Sequence, residues 1–246
     1  MKKRLYIVLS AAFWLLIWQV IYTSVGESIL VPSPASVFIR LIEFFGEKSF
    51  WISVSVSLFR VISGLFLGTV LGAVIAVLTA GSGFLRALFS PALHVIKATP
   101  IASFIILAIL WLSVDNVPTF TAMLIVLPAV WANVEKGVLS VDANLVQMGK
   151  AFGLSPIKVF SRITVPSVLP YFTAALNSAV GMAWKAGIAA EVICPYKDSI
   201  GSALHDSKIY FDTVDTFAWT AAVVVLSVLL EKLLLMLTAK GGRRNA

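Results

Sequence analysis

The sequence predicts an all-α integral membrane protein with about six transmembrane helices. An amphipathic helix on the outer face and a loop of short helices on the inner face complete the expected fold. Three observations predict it. The 246 residues are 59% hydrophobic and 13% charged, about half the charge density of a soluble domain, with a mean hydropathy of +0.97. The charges act as fences, leaving charge-free runs at 5–26, 61–85, 98–114, 116–134, 163–184 and 216–230. These runs are continuous rather than alternating, so they suit helices of about 20 residues across a ~30 Å hydrocarbon core, not barrel strands.

The first span, 5–25, follows Lys2, Lys3 and Arg4. It exceeds the roughly 7–15 residues of a signal-peptide core, and YTSVGES offers no A-x-A cleavage site, so it is expected to be retained. Pro32 and Pro34 then impose an extended approach, with Ser33 available as an N-cap. Val37, Phe38, Leu41, Ile42, Phe44 and Phe45 form an apolar stripe beside Arg40, Glu43 and Glu47, the pattern of a helix lying in the outer interface. The second span, 51–80, carries Gly64, Gly68 and Gly72, continued by Ala76 and Ala80. Small residues at every fourth position predict a face that another helix backbone approaches closely.

The third span, 87–114, must tolerate His94 and Lys97, and it contains Pro91 and Pro100, each lacking a backbone donor. Such breaks persist at membrane depth only inside protein or along a water-filled cavity. The fourth, fifth and sixth spans are expected at 117–139, 163–193 and 215–238, the last passing Glu231 and Lys232. Together they make one transmembrane domain over 1–246.

Lys2, Lys3 and Arg4 place the N-terminus in the cytoplasm by the positive-inside rule. Six crossings return Arg86, the stretch from Lys136 to Arg162, and Lys240, Arg243 and Arg244 to that side. Glu27, Glu43, Glu47, Asp115, Asp198, Asp206, Asp212 and Asp215 fall on the other. The expected protein is multi-pass in an inner (cytoplasmic) membrane, with both termini cytoplasmic. The net charge of +7 is then inner-face lysine and arginine and calls for no nucleic acid. A single cysteine, Cys194, has no partner in the chain for a disulfide.

Intramembrane ionisable residues are costly and usually face a bundle interior or a pathway. Lys185 and Glu191 lie deep in the fifth span, six residues apart and therefore on different helix faces. His94, Lys97, Thr99, Pro100, Lys185 and Glu191 are candidate pathway residues for a small polar or anionic solute. Alternatively, Lys97 pairs with Glu191 to neutralise both.

Between the fourth and fifth spans, the loop 140–165 and the residues just after it contain QMGKAFGLSPIKVFSRITVPSVLP. Asp142 can cap a helix with Leu145, Val146, Gly149 and Phe152 on one side. Gly153 stands where a left-handed cap is expected, and Ser155–Pro156 opens a second short helix. Ile157, Phe160 and Ile163 give that helix an apolar face until Pro166 and Pro170 shape the approach to the fifth span. An elbow that is apolar on one side and carries Lys150, Lys158 and Arg162 on the other is built to fit a groove on another protein.

The spacing Gly153-x-Ser155, Phe160, Ile163, Pro166, Pro170 resembles the cytoplasmic "EAA" coupling loop of ATP-binding-cassette (ABC) importer permeases. LVPSPASVF, SLFRVISGLFLGTVLGAVIA, ATPIASFIILAILWLS and GIAAE resemble the nitrate/sulfonate/taurine type, and the resemblance runs over about residues 30–238. It implies a membrane subunit, not an enzyme, forming half of a translocation pathway for a small polar or anionic nutrient. It also implies that Gln147, Gly149, Phe152, Gly153, Ser155, Pro156, Phe160, Pro166 and Pro170 couple to separate ABC ATPase subunits, which would carry ATP and Mg. The other implied partners are a second permease copy (the same chain or a close relative), an extracytoplasmic solute-binding protein and the lipid bilayer. Gln147-Met148-Gly149 stands where the family has Glu-Ala-Ala, and LSVDNVP follows Trp111 where the family has a glycine-bearing turn.

The motifs the chain lacks agree with that reading. There is no G-x-x-x-x-G-K-[ST] phosphate loop and no H-E-x-x-H, so no catalytic residue, cofactor or metal is expected in this chain. The alternative class is an ion-gradient-driven secondary transporter or channel. Such proteins bind ions at midplane carboxylates, often in internally repeated halves. Here Glu191 is the one deep carboxylate expected, and no repeat is visible.

Overall fold

Apolar runs in lipid must satisfy their own backbone groups, and helices do so within one segment. The computed structural model describes the backbone of residues 2–242 and the side chains of 5–238, and it contains no strand among the described residues. Arg243 and Arg244, and the side chains of Lys2, Lys3, Arg4 and Lys240, on which the orientation argument leans, lie outside the described residues. In order come α1 (Lys2–Val25), α2 (Pro34–Phe44), α3 (Lys48–Gly81), α4 (Gly83–Ala98), α5 (Ile101–Trp111) and α6 (Val117–Leu139). They are followed by α7 (Ala143–Ala151), α8 (Pro156–Val159), a π turn (Phe160–Thr164), α9 (Val165–Ile193), α10 (Ile200–Ile209) and α11 (Thr213–Gly242).

α1, α3, α6, the helix running from Pro156 to Ile193, and α11 are each long and apolar enough to cross a membrane. The expected third span at 87–114 differs. It is two helices, α4 and α5, bent by 108° at Thr99–Pro100. Pro100 has no N–H to continue the ladder and pushes Thr99 into an extended conformation, ψ 134°. With 16 and 11 residues, α4 and α5 reach about 24 Å and 17 Å, so neither crosses alone.

The packing of α3 on α6 shows what the bent pair does. Gly64 lies against Ala122, Gly68 against Met123 and Val126, and Gly72 against Leu127 and Val130. Both numbers rise together, so α3 and α6 run parallel. Two parallel spans in succession require one net crossing between them, and α4–α5 supplies it. Arg86, near the start of α4, meets Glu135 near the end of α6 at 3.4 Å. Ile105 and Ala108 of α5 pack with Val117 at the start of α6. The bent pair is therefore a broken span, not a loop that returns to its own side.

α9 runs antiparallel to α6, with Gly137 against Tyr171 at one end and Gly187 near the Pro118 carbonyl at the other. α11 closes on α9, where Trp184 Nε1 donates to the Val223 carbonyl at 3.1 Å. The core is thus α3, α6 and α9 side by side, with α7 and α8 at one end and α2 and α10 at the other. At that second end Ser33 caps α2 by accepting from the Ser36 N–H at 3.0 Å. Phe44 of α2 is buried between Phe50 and Trp219, ring centroids 5.6 and 4.7 Å away. The stripe expected on α2 divides: Val37 and Phe44 face the core, while Phe38, Ile42 and Phe45 remain exposed. Arg40 ties α2 to α11 through Asp215 at 2.5 Å and reaches Glu47 at 2.7 Å. The Asp215 hydrogen bond, opposed by burial and reinforced by Glu47 and Glu43, holds the guanidinium above its already high ordinary value.

Candidate functional site

The elbow begins where Asp142 Oδ1 accepts from the Asn144 N–H at 2.8 Å and caps α7. α7 ends in a left-handed turn. Gly153 (φ 71°) donates to Lys150 O at 2.9 Å, and Leu154 donates to Gly149 O at 3.0 Å, the two-bond cap that glycine permits. Gly149, expected on an outward apolar side with Phe152, is instead buried. A Cβ there would meet Ile163 Cδ1 at 2.9 Å, so Gly149 is the contact that lets α7 fold back onto the π turn. Phe152 points the other way and is 80% exposed, as is Ile157 at 79%. Leu145, Met148 and Phe160 are also exposed, and Gln147 is open to solvent on the same helix.

Ser155 precedes Pro156 at the first helical position, although its side chain makes no capping bond. The second short helix was expected to end before the fifth span. Instead one helix runs from Pro156 to Ile193, passing through Pro166 and Pro170. The π turn at Phe160–Thr164 ends two residues before Pro166, whose missing N–H removes the regular bond to Arg162. The widened turn absorbs the proline without a break, so the elbow is mechanically continuous with α9. Beside the π turn lies an apolar cavity of about 260 Å³, lined by Val77, Val138, Phe160, Val168 and Phe172 among others.

His94, Lys97 and Pro100 are exposed on the bent pair, with Thr99 half-buried. The His94 ring stands edge-on to Trp131, centroids 5.9 Å apart, and Thr99 Oγ1 donates to Val95 O at 2.8 Å. Lys185 is exposed well within α9, on an open stripe with Ala174, Ser178 and Met182. At that spacing the four share one helix face.

Glu191 faces neither Lys97 nor an open surface. It is wholly buried, and its partner is Arg60 Nη1 of α3 at 3.3 Å. Ser57 Oγ donates to Glu191 Oε2 at 2.7 Å, and the Gly201 N–H donates to the same oxygen at 3.1 Å. Ile200 N–H donates in turn to Ser57 Oγ at 3.0 Å. The carboxylate thus sits at the start of α10, where free N–H groups and the helix dipole favour an anion. Arg60 also lies over the Tyr196 ring, 4.9 Å from its centroid, at the edge of a cavity of about 580 Å³ that Lys197 helps to line. Of the alternatives the sequence leaves open, the Lys97–Glu191 pair does not form; Glu191 is paired with Arg60 instead. Arg60 and Ser57 escaped the sequence reading because the charge-free run starts at 61, although the expected span 51–80 encloses both. The signal was present: Arg60 lies inside the expected span 51–80, as it lies inside α3, and a charge there calls for a partner.

A family model described as "Binding-protein-dependent transport system inner membrane component" matches residues 68–240. A probable ABC transporter permease protein of Brucella melitensis is 26% identical over 209 residues, covering 84% of each chain. A putative aliphatic sulfonates transport permease protein of Bacillus subtilis is 25% identical over 228 residues, 91% of this chain and 82% of that one. Among solved structures, the inward-facing MetNI methionine ABC transporter shares the fold with a TM-score of 0.67 at 17% identity, covering 81% of this chain and 99% of that one. A bacterial ABC transporter that imports alginate aligns with a TM-score of 0.66 at 14% identity, covering 97% and 96%.

Proposed function

This chain belongs to the family of inner membrane components of binding-protein-dependent transport systems, and from that premise we propose that it is half of an ATP-driven importer for a small polar or anionic nutrient. It is a multi-pass inner membrane protein and a non-catalytic permease subunit. The observation that carries the finer reading is the elbow. Phe152 and Ile157 stand almost fully exposed on a hydrogen-bonded turn that continues without a break into α9. Exposed apolar side chains on a rigid support mark a protein contact. In this reading ATPase subunits, which carry ATP and Mg, dock on residues 142–165, and the elbow lies on the cytoplasmic side with both termini.

A second permease copy covers the open stripe of α9. Lys185 supports this, because a charge within a spanning helix faces a bundle interior or a water-filled path rather than lipid. The bent pair α4–α5, with His94, Lys97 and Thr99–Pro100, stands as the second pathway wall. A solute-binding protein delivers substrate at the end of the bundle opposite the elbow. Closure of the ATPases then shifts the permease between two arrangements through the elbow, by differential binding of ATP to the two states. The substrate reading draws support from relatives named for sulfonate, taurine and bicarbonate transport, 22–28% identical.

The test is reconstitution of this chain with its ATPase and binding protein in proteoliposomes, comparing the parent with Phe152→Asp. Uptake is expected to require ATP and all three components, and the variant is expected to insert normally but lose ATPase binding. Uptake by proteoliposomes containing this chain alone would instead establish gradient-driven transport and remove the proposal.

A further inference from the structure

The turn between α10 and α11 repeats the cap that ends α7, with one difference. The Asp212 N–H donates to Ser207 O at 2.8 Å, and the Phe211 N–H donates to Lys208 O at 3.3 Å. Phe211 takes the left-handed position, φ 56°, that Gly153 takes in α7. A bulky side chain there crowds its own backbone, and glycine relieves the strain. Strain of this kind persists where the side chain itself is required. The Phe211 ring is not required inside this protomer, because it is 78% exposed beside Tyr210 at 80% and an exposed Ile209.

The surroundings indicate what covers it. Thr213 Oγ1 donates to the Ile29 carbonyl, which brings the exposed Ile29 and Leu30 beside the turn. The five apolar side chains therefore lie between the end of α1 and the start of α11. Those two are the least enclosed spans of the protomer and turn most of their apolar surface outward. The patch continues this uncovered apolar surface past the ends of two spans, the level at which a span leaves the hydrocarbon and aromatic side chains concentrate.

We propose that the Ile209–Phe211 knuckle, with Ile29 and Leu30, is an interfacial anchor seated in the headgroup–acyl boundary of the leaflet opposite the elbow. It sets the depth of α11, and through the Trp184–Val223 contact the depth of α9. The anchor requires only that the chain spans a bilayer, so it stands or falls independently of the ATPase assignment.

The experiment uses the full chain with Cys194→Ala, leaving one introduced cysteine at Phe211→Cys that carries a polarity-sensitive fluorophore. It is reconstituted in vesicles of phosphatidylethanolamine and phosphatidylglycerol containing a lipid spin-labelled near its headgroup. Blue-shifted emission, quenched about twofold or more by the spin-labelled lipid, is the expected result. Water-like emission quenched by aqueous iodide alone would overturn the anchor. So would shielding that appears only when the solute-binding protein is added, since the patch would then be that protein's docking surface. Phe211→Gly provides the second check. Relief of the strained turn is expected to leave the melting temperature in detergent unchanged or higher. A lower one would mean that the ring packs within the protein, which also overturns the proposal.

Discussion

Arg60 and Glu191, 131 positions apart in the chain, form a buried ion pair at 3.3 Å that joins α3, α9 and the start of α10. Ser57 and the Gly201 N–H complete the carboxylate's hydrogen bonding. Removing one member of such a pair strands a buried charge and costs roughly 3–5 kcal/mol. Arg60→Ala is expected to lower folded yield and melting temperature sharply in detergent. Glu191→Gln keeps one acceptor oxygen for Ser57 and Gly201 but turns its NH2 toward Arg60 and strands that guanidinium, so it is expected to lower the melting temperature as well. Equal melting of Arg60→Ala and the parent would show that the pair contributes nothing.

Gly68 lies in the close contact between α3 and α6, and a Cβ there would meet the Met123 carbonyl at 2.6 Å. Gly68→Val is expected to destabilise by about 1–3 kcal/mol through overpacking. Gly81, at the end of the same helix, has nothing within 4 Å of an added Cβ. Gly81→Ala is therefore the matched control, expected to melt with the parent. Thermal unfolding of both variants in detergent decides the matter.

Gly153 holds the elbow at φ 71°, and a leucine there pays about 1–2 kcal/mol for the left-handed backbone. The cost falls on a surface turn, so Gly153→Leu is expected to insert and fold while substrate-stimulated ATPase activity of the assembled complex is lost. Phe152→Ala tests the face rather than its support. Truncating an exposed aromatic anchor typically costs about 2 kcal/mol, roughly thirtyfold in affinity for the partner. Normal coupling in both variants would exclude the elbow as the contact.

Lys185 is exposed on α9, and no carboxylate lies within ion-pair distance of it among the described residues. Lys185→Met removes charge while keeping length, so folded yield is expected to hold. Transport of an anionic solute is expected to fall about tenfold, the equivalent of ~1.4 kcal/mol. Wild-type transport by this variant would take Lys185 out of the pathway.

The spans were legible because charges are costly in lipid, so long apolar runs between charges such as Arg4 and Glu27 mark out helices directly, with Arg60 the charge that falls inside one. The elbow was legible for a different reason. Gly153, Ser155 and Pro156 act on their own backbone within a few residues, and their effect does not depend on distant parts of the chain. Gly149 shows the limit of that local logic. Its place in the helix was expected, but its role depends on Ile163 folding back over it.

By itself the sequence determined that this is a helical membrane protein with about six apolar spans and a capped elbow between two of them. Those properties follow from transfer free energies and backbone preferences, which act residue by residue. Only the tertiary structure decided that Arg60 rather than Lys97 meets Glu191, that α3 and α6 run parallel, and that the elbow joins α9 through a π turn. Each of these depends on the rotation and register of one helix against another, which distant side chains set together and no single stretch contains.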